Sequence, residues 1–225
     1  MKHLFYLKHL FLLLGVLLFG RASAIPEYRV SGGTLKVIED FKSDFIASRE
    51  IYVWTPDNYS SEKNYPVIYM HDGQMLWDAT VSWNKQEWKI DEVASTLFSE
   101  DKCREFIVVG IPSHPYGERF YEYFPQKSLL EIDDRSFARS KGEKSRYCAD
   151  EYLKFIVREL KPYIDIHYST SRKVKDTFVM GSSMGGLMSL YALCEYPNVF
   201  GGAGCLSTHS PMVVDEDWLG DEPDS

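Results

Sequence analysis

Residues 176–196 read DTFVMGSSMGGLMSLYALCEY. Thr177 to Met180 is a short apolar run with strand character, and Met184 to Glu195 is a longer run rich in Leu, Met and Ala that suits a helix. Between them, Gly181-Ser182-Ser183-Met184-Gly185 fits Gly-x-Ser-x-Gly. A turn this abrupt puts the central residue in a strained conformation, and the glycines remove side chains where strand and helix backbones approach. Ser183 then projects above the carboxyl end of a sheet, at a helix N-terminus whose dipole favours developing negative charge. Ser183 is therefore the candidate nucleophile. The competing reading is a Gly/Ser-rich turn that only caps a helix; strand, motif and helix in that order, within a repeating β/α pattern, favour the nucleophile. The spacing is not Gly-x-Gly-x-x-Gly and no Lys follows the glycines, which excludes dinucleotide and P-loop readings.

Working outward, strand-like and helix-like segments alternate from about residue 34, the rhythm of a mostly parallel sheet covered by helices. Strands are expected at Thr34 to Phe41, Arg49 to Thr55, Tyr65 to Met70, Phe106 to Gly110, Thr177 to Met180 and Gly201 to Leu206. The run YPVIYM at 65–70 is continuous and bulky, as for a strand buried on both faces, and ends at the turn-forming His71-Asp72-Gly73. Helices are expected at Glu87 to Ser99, with Trp88, Val93 and Leu97 in its apolar stripe, at 149–163, and at Met184 to Glu195. Between Ile111 and Tyr147 the pattern dissolves into an aromatic, charged stretch. Residues 111–125 read as a lid or binding loop; 128–145 stay open between that reading and a mobile surface insertion.

The chain has 225 residues, 44% of them apolar and 15% aromatic, enough for the core of one α/β domain. Lys2 and Lys8, the apolar run Leu10 to Phe19 and the small-residue site Ala22-Ser23-Ala24 read as a secretory signal peptide over residues 1–24, cleaved to leave Ile25. The alternative, an uncleaved anchor, is disfavoured because the run falls short of the roughly 20 residues that span a bilayer. A secreted or periplasmic protein, not inserted in a membrane after cleavage, is expected. The formal charge of −8 and pI near 5.3 argue against nucleic-acid partners. Cys103, Cys148, Cys194 and Cys205 lack the close pairs of a zinc site. Cys194 and Cys205 are expected to be buried packing residues, and a Cys103–Cys148 disulfide stays open. Asn58-Tyr59-Ser60 is a sequon with meaning only in a eukaryotic secretory pathway.

Five blocks carry a resemblance to a known family: YPVIYMHDGQ at 65–74, VVGIP at 108–112, RFYEYFP at 119–125, FIVRELKPYID at 155–165 and GSSMGGLMSLYALCEYPNVFGGAGCLS at 181–207. In this order they resemble the esterases related to esterase D, enterochelin esterase and feruloyl esterases, within the α/β-hydrolase superfamily. The resemblance implies an α/β-hydrolase three-layer sandwich for residues 25–225 as a single domain. It also implies a serine attacking an ester carbonyl, a histidine base, an acid orienting it, and two backbone amides holding the oxyanion. Those amides are expected from Met184 and from the His71-Asp72-Gly73-Gln74 loop, at Gly73 or Gln74. Arg119 is expected to hold a polar or acidic part of the substrate, with a surface salt bridge as the alternative. His71 reads as a structural turn residue and His114 as a loop residue. His209, after the strand ending at Leu206, is expected to line the pocket rather than act as base.

The family order is Ser, then Asp or Glu, then His, yet the histidine beyond Ser183 is His209, and the acids from Asp215 onward follow it. The last strands and C-terminal helix are expected to be missing, the strand at 201–206 to be an apolar sheet edge, and the chain to be inactive as written. A minor alternative has His209 as base with Asp215 or Asp217. The expected function is carboxylic ester hydrolysis through an acyl-enzyme, needing neither metal nor cofactor. The resemblance implies a feruloyl- or acetyl-decorated carbohydrate, or a siderophore trilactone, as substrate. Two alternatives remain: a non-catalytic ligand-binding member of the fold, and an acyltransferase.

Overall fold

The computed structural model describes residues 28–114, 118–130 and 146–209. The expectations for the signal peptide, for most of the 128–145 stretch and for Asp215 and Asp217 lie outside the described residues. Six strands form one sheet: β1 (Thr34–Phe41), β2 (Arg49–Thr55), β3 (Val67–His71), β4 (Ile107–Ile111), β5 (Thr177–Ser182) and β6 (Gly202–Leu206), in the order β1-β2-β4-β3-β5-β6. The β1–β2 and β2–β4 pairs are antiparallel, and β4–β3, β3–β5 and β5–β6 are parallel.

Side-chain alternation along the strands builds a separate core on each face. Ile51, Val53, Val67, Tyr69, Ile107, Val109 and Val179 join one core; Tyr52, Trp54, Met70 and Val108 join the other. Helix α1 (Ile90–Ser99) contributes Ala94 to the second core, with Leu76 and Trp77 from the loop after β3. The first core is covered by α2 (Arg119–Tyr123), α3 (Ala149–Phe155), α4 (Lys161–His167) and α5 (Met184–Glu195), with a π turn at Ile156–Leu160 joining α3 to α4. Sheet and helices make the expected three-layer α/β arrangement.

Local chemistry shifts several boundaries. Pro66 has no N–H for a ladder, so Tyr65 makes only an isolated bridge to Thr170 and β3 begins at Val67. Lys89 adopts a left-handed conformation (φ 54°), so α1 starts at Ile90 rather than at 87. Val93, expected in the apolar stripe, is 52% exposed, and the buried apolar position is Ala94, with Asp91 buried beside it in the same helix. Cys194 and Cys205 are exposed rather than buried: one lies on α5, the other on β6, which sits at the end of the strand order. All four cysteines are free thiols. Among the described residues no helix is long and apolar enough to cross a membrane, and no group of His, Cys, Asp and Glu has metal-site geometry.

Candidate active site

Ser183 sits alone between the end of β5 and the start of α5, with φ 55° and ψ −120°, a conformation rare for any residue but glycine. Three backbone hydrogen bonds fix it there. Its N–H donates to the Leu206 carbonyl at 2.9 Å, and its carbonyl accepts from the N–H groups of Leu187 and His209, each at 3.1 Å. Strand and helix approach so closely that a Cβ on Gly181 would lie 2.6 Å from the carbonyl carbon and oxygen of Gly185. A Cβ on Gly185 would lie 3.3 Å from the Asp72 carboxylate and from the His71 side chain.

The serine opens into a cleft of about 1030 Å³ whose lining includes Asp72, Gln74, Trp83, Ser113, Arg119 and Ser183. A smaller hollow of about 480 Å³, around Asn64 and Arg172, lies at the amino end of β5, away from Ser183. The strained serine faces the larger one. The cleft brings Ser183, Gln74 and Arg119 together. Met184 opens α5, where helix amides have no intrahelical partner. Gly73 opens a tight 3₁₀ turn, Gly73–Met75, immediately after Asp72. His209 meets Ser183 through its backbone N–H.

Arg119 lines the cleft, but its guanidinium grips Asp72 with two hydrogen bonds, Nε to Oδ1 at 2.6 Å and Nη2 to Oδ2 at 2.8 Å. Burial opposes the Arg119 charge; the Asp72 carboxylate outweighs it and holds the guanidinium pKa above its ordinary value. His71 is fully buried behind the cleft, with Nδ1 2.9 Å from the Tyr152 hydroxyl and its ring against Tyr123. Desolvation drives its pKa down to about 4, so it is neutral at pH 7 and suits the structural role expected for it. His114 donates its N–H to Glu122 at 3.2 Å.

Sequence reading missed Asp72 as the partner of Arg119, Tyr123 as a second partner of Asp72, Ser113 as the partner of Gln74, and the buried Arg49–Glu122 ion pair. A signal was present for one of them: Arg119 and Tyr123 are four apart, the spacing that puts two side chains on one helix face. The others pair residues far apart in the chain.

The comparisons agree with this architecture. A family model described as "Putative esterase" matches residues 45–223. Among curated proteins, "Uncharacterized protein YbbA" of Bacillus subtilis is 26% identical over 71% of this chain and 56% of its own length. "Endo-1,4-beta-xylanase/feruloyl esterase" of Xylanibacter ruminicola is 28% identical over 68% of this chain and 18% of its own length. The chain thus spans little more than half of the Bacillus relative and a small part of the Xylanibacter one. Among solved structures, the ferulic acid esterase of Anaeromyces mucronatus shares the fold at TM-score 0.55 and 20% identity, covering 84% of this chain and 64% of that one; it has also been solved with ferulic acid. The enterobactin esterase of Shigella flexneri, solved in the presence of 2,3-dihydroxy-N-benzoyl-glycine, aligns at TM-score 0.58 and 19% identity over 85% of this chain and 40% of its own.

Proposed function

From the membership of this chain in the "Putative esterase" family, we propose that it is an exported serine carboxylic-ester hydrolase with Ser183 as nucleophile. The observation that carries this reading is the backbone of Ser183, held at φ 55° and ψ −120° between strand and helix and facing the large cleft. In the proposed reaction Oγ attacks the ester carbonyl and gives up its proton to a base. The tetrahedral oxyanion accepts hydrogen bonds from the Met184 amide and from Gly73 or Gln74, the alcohol leaves with a proton, and water hydrolyses the acyl-enzyme. No metal or cofactor takes part in this scheme.

The base is the open element of the scheme. His209 is the histidine that follows Ser183, and the acids after it stand in the reverse of the usual order. Residues 25–225 alone are therefore proposed to be inactive, with turnover roughly a thousandfold or more below that of a complete triad. The substrate class is proposed as a feruloyl- or acetyl-decorated carbohydrate or a siderophore trilactone. It draws support from the feruloyl esterase named in the Xylanibacter relative and from the ferulic acid and enterobactin esterases of Anaeromyces and Shigella.

The test is to assay purified residues 25–225, and a version extended by any downstream coding sequence, on p-nitrophenyl acetate, methyl ferulate and a catechol trilactone. Hydrolysis by the extended form that is lost in Ser183→Ala supports the reading. Comparable turnover by the short form, lost on His209→Ala, would overturn the inactivity and make His209 the base. Mass spectrometry of exported protein beginning at Ile25 supports export.

A further inference from the structure

We propose that helix α2 is the bracket of the oxyanion loop: Arg119 and Tyr123 are positioning residues that hold Asp72, and through it the Gly73 and Gln74 amides, in register with Ser183. The role assigned to the loop rests on the reading of Ser183 as nucleophile. The grip itself is a property of the structure.

Asp72 has φ 56° and ψ 45°, a left-handed conformation that an Asp adopts only at some cost and keeps only when its surroundings over-determine it. Three contacts do so. Arg119 binds both carboxylate oxygens, at 2.6 and 2.8 Å. The Tyr123 hydroxyl accepts the Asp72 N–H at 3.2 Å. The third is close packing against the elbow, where a Cβ on Gly185 would stand 3.3 Å from Asp72 Oδ2. The carboxylate thus bridges α2 and the turn that carries the nucleophile.

The spacing of the helix residues explains the geometry. Arg119 and Tyr123 are four apart, so one helix face presents a guanidinium to the Asp72 side chain and a hydroxyl to its backbone. The guanidinium also lies over the Tyr123 ring, 5.0 Å from its centroid. Asp72 then starts the turn itself, its carbonyl accepting the Met75 N–H at 2.9 Å.

The same helix reaches the far side of the turn. The Gln74 amide makes two hydrogen bonds with Ser113, Nε2 to Oγ at 2.9 Å and Oε1 from the Ser113 N–H at 3.1 Å. Ser113 lies between Pro112 and His114. The Pro112 carbonyl accepts from Arg49 at 3.0 Å, and His114 donates its N–H to Glu122 at 3.2 Å. Glu122 pairs with Arg49, so the five-residue α2 grips the Gly73–Met75 turn from both ends. The edge of Arg119 that meets Asp72 is not available to a substrate anion, which favours a positioning role over a substrate contact.

Two readouts on the full chain test this. Arg119→Ala should speed amide hydrogen exchange of residues 71–76 by about tenfold or more while leaving Thr177–Ser182 unchanged, because the left-handed Asp72 loses its clamp. In residual hydrolysis of neutral p-nitrophenyl acetate, kcat should fall about tenfold to a hundredfold with KM within about twofold, the signature of a misplaced oxyanion donor. Arg119→Lys should recover part of both losses, and Tyr123→Phe should show a smaller loss of the same kind. Unchanged exchange at 71–76 in Arg119→Ala overturns the bracket. So does a rise in KM at constant kcat confined to esters that carry a carboxylate, the pattern of a substrate-anion site. If the form extended by the downstream coding sequence hydrolyses nothing and takes up no fluorophosphonate at Ser183, the nucleophile reading fails, and the exchange measurement still decides whether α2 holds the loop.

Discussion

Arg49 and Glu122 face each other as a buried ion pair, their side chains 7% and 4% exposed, with Arg49 packed over the Tyr152 and Phe155 rings. Arg49 begins β2 and Glu122 lies on α2, so the pair ties the sheet to the helix that borders the cleft. Burial works against the arginine charge, but the Glu122 carboxylate prevails and keeps the Arg49 pKa above its ordinary value. Glu122→Ala leaves a guanidinium buried without its counter-charge and should destabilise the fold by about 3–5 kcal/mol. The double variant Arg49→Met, Glu122→Leu should lie much closer to wild type, since it buries no lone charge. Urea denaturation of both variants checks this, and equal losses would contradict it.

His71 supplies a pH dependence. Its folded pKa of about 4 lies below the ordinary 6.5, because burial outweighs the favourable Asp72 charge. Between these values the unfolded chain binds the proton and the folded one does not, so acid favours unfolding. The stabilisation is fully present above pH 6.5, is lost as pH falls toward 4, and amounts to on the order of 3 kcal/mol. In His71→Gln the slope of stability against pH across this window should flatten relative to wild type. Thermal unfolding at a series of pH values between 4 and 7 measures it, and parallel curves for the two proteins would refute it.

Gly181→Ala should damage the elbow directly. The added methyl would sit 2.6 Å from backbone atoms of Gly185, which cannot swing aside as a side chain can. A loss of about 1–3 kcal/mol is expected, together with slower fluorophosphonate labelling of the extended form as the serine is displaced. Unaltered stability and labelling would show that the strand–helix approach is looser than described.

Ser182 and Ser183 both line the cleft, but Ser183 alone carries the strained backbone. In the form extended by the downstream coding sequence, Ser183→Ala should abolish fluorophosphonate labelling and Ser182→Ala should leave it in place. Peptide mapping of the labelled site discriminates them, and labelling that survives in Ser183→Ala and vanishes in Ser182→Ala would reverse the assignment.

Much of this protein was legible in the chain because the signals are local. Apolar runs of strand length, a helical run from Met184, and a Gly-x-Ser-x-Gly turn between them depend on neighbours within a few residues, so β1, β2 and α5 appear with the expected bounds. The elbow was legible for the same reason: its strain arises from the residues that form it. The tertiary structure alone decided what those elements meet. Asp72 and Arg119 are 47 residues apart, and Arg49 and Glu122 are 73 apart. They join only because the sheet order places β4 between β2 and β3, which no local periodicity encodes. The exposure of Cys194 and Cys205 was likewise hidden, since an apolar neighbourhood in sequence does not say which side of a helix or strand has a layer packed against it. Periodicity tells a segment what shape to take, whereas burial and charge pairing are settled by which distant surface comes to lie against it.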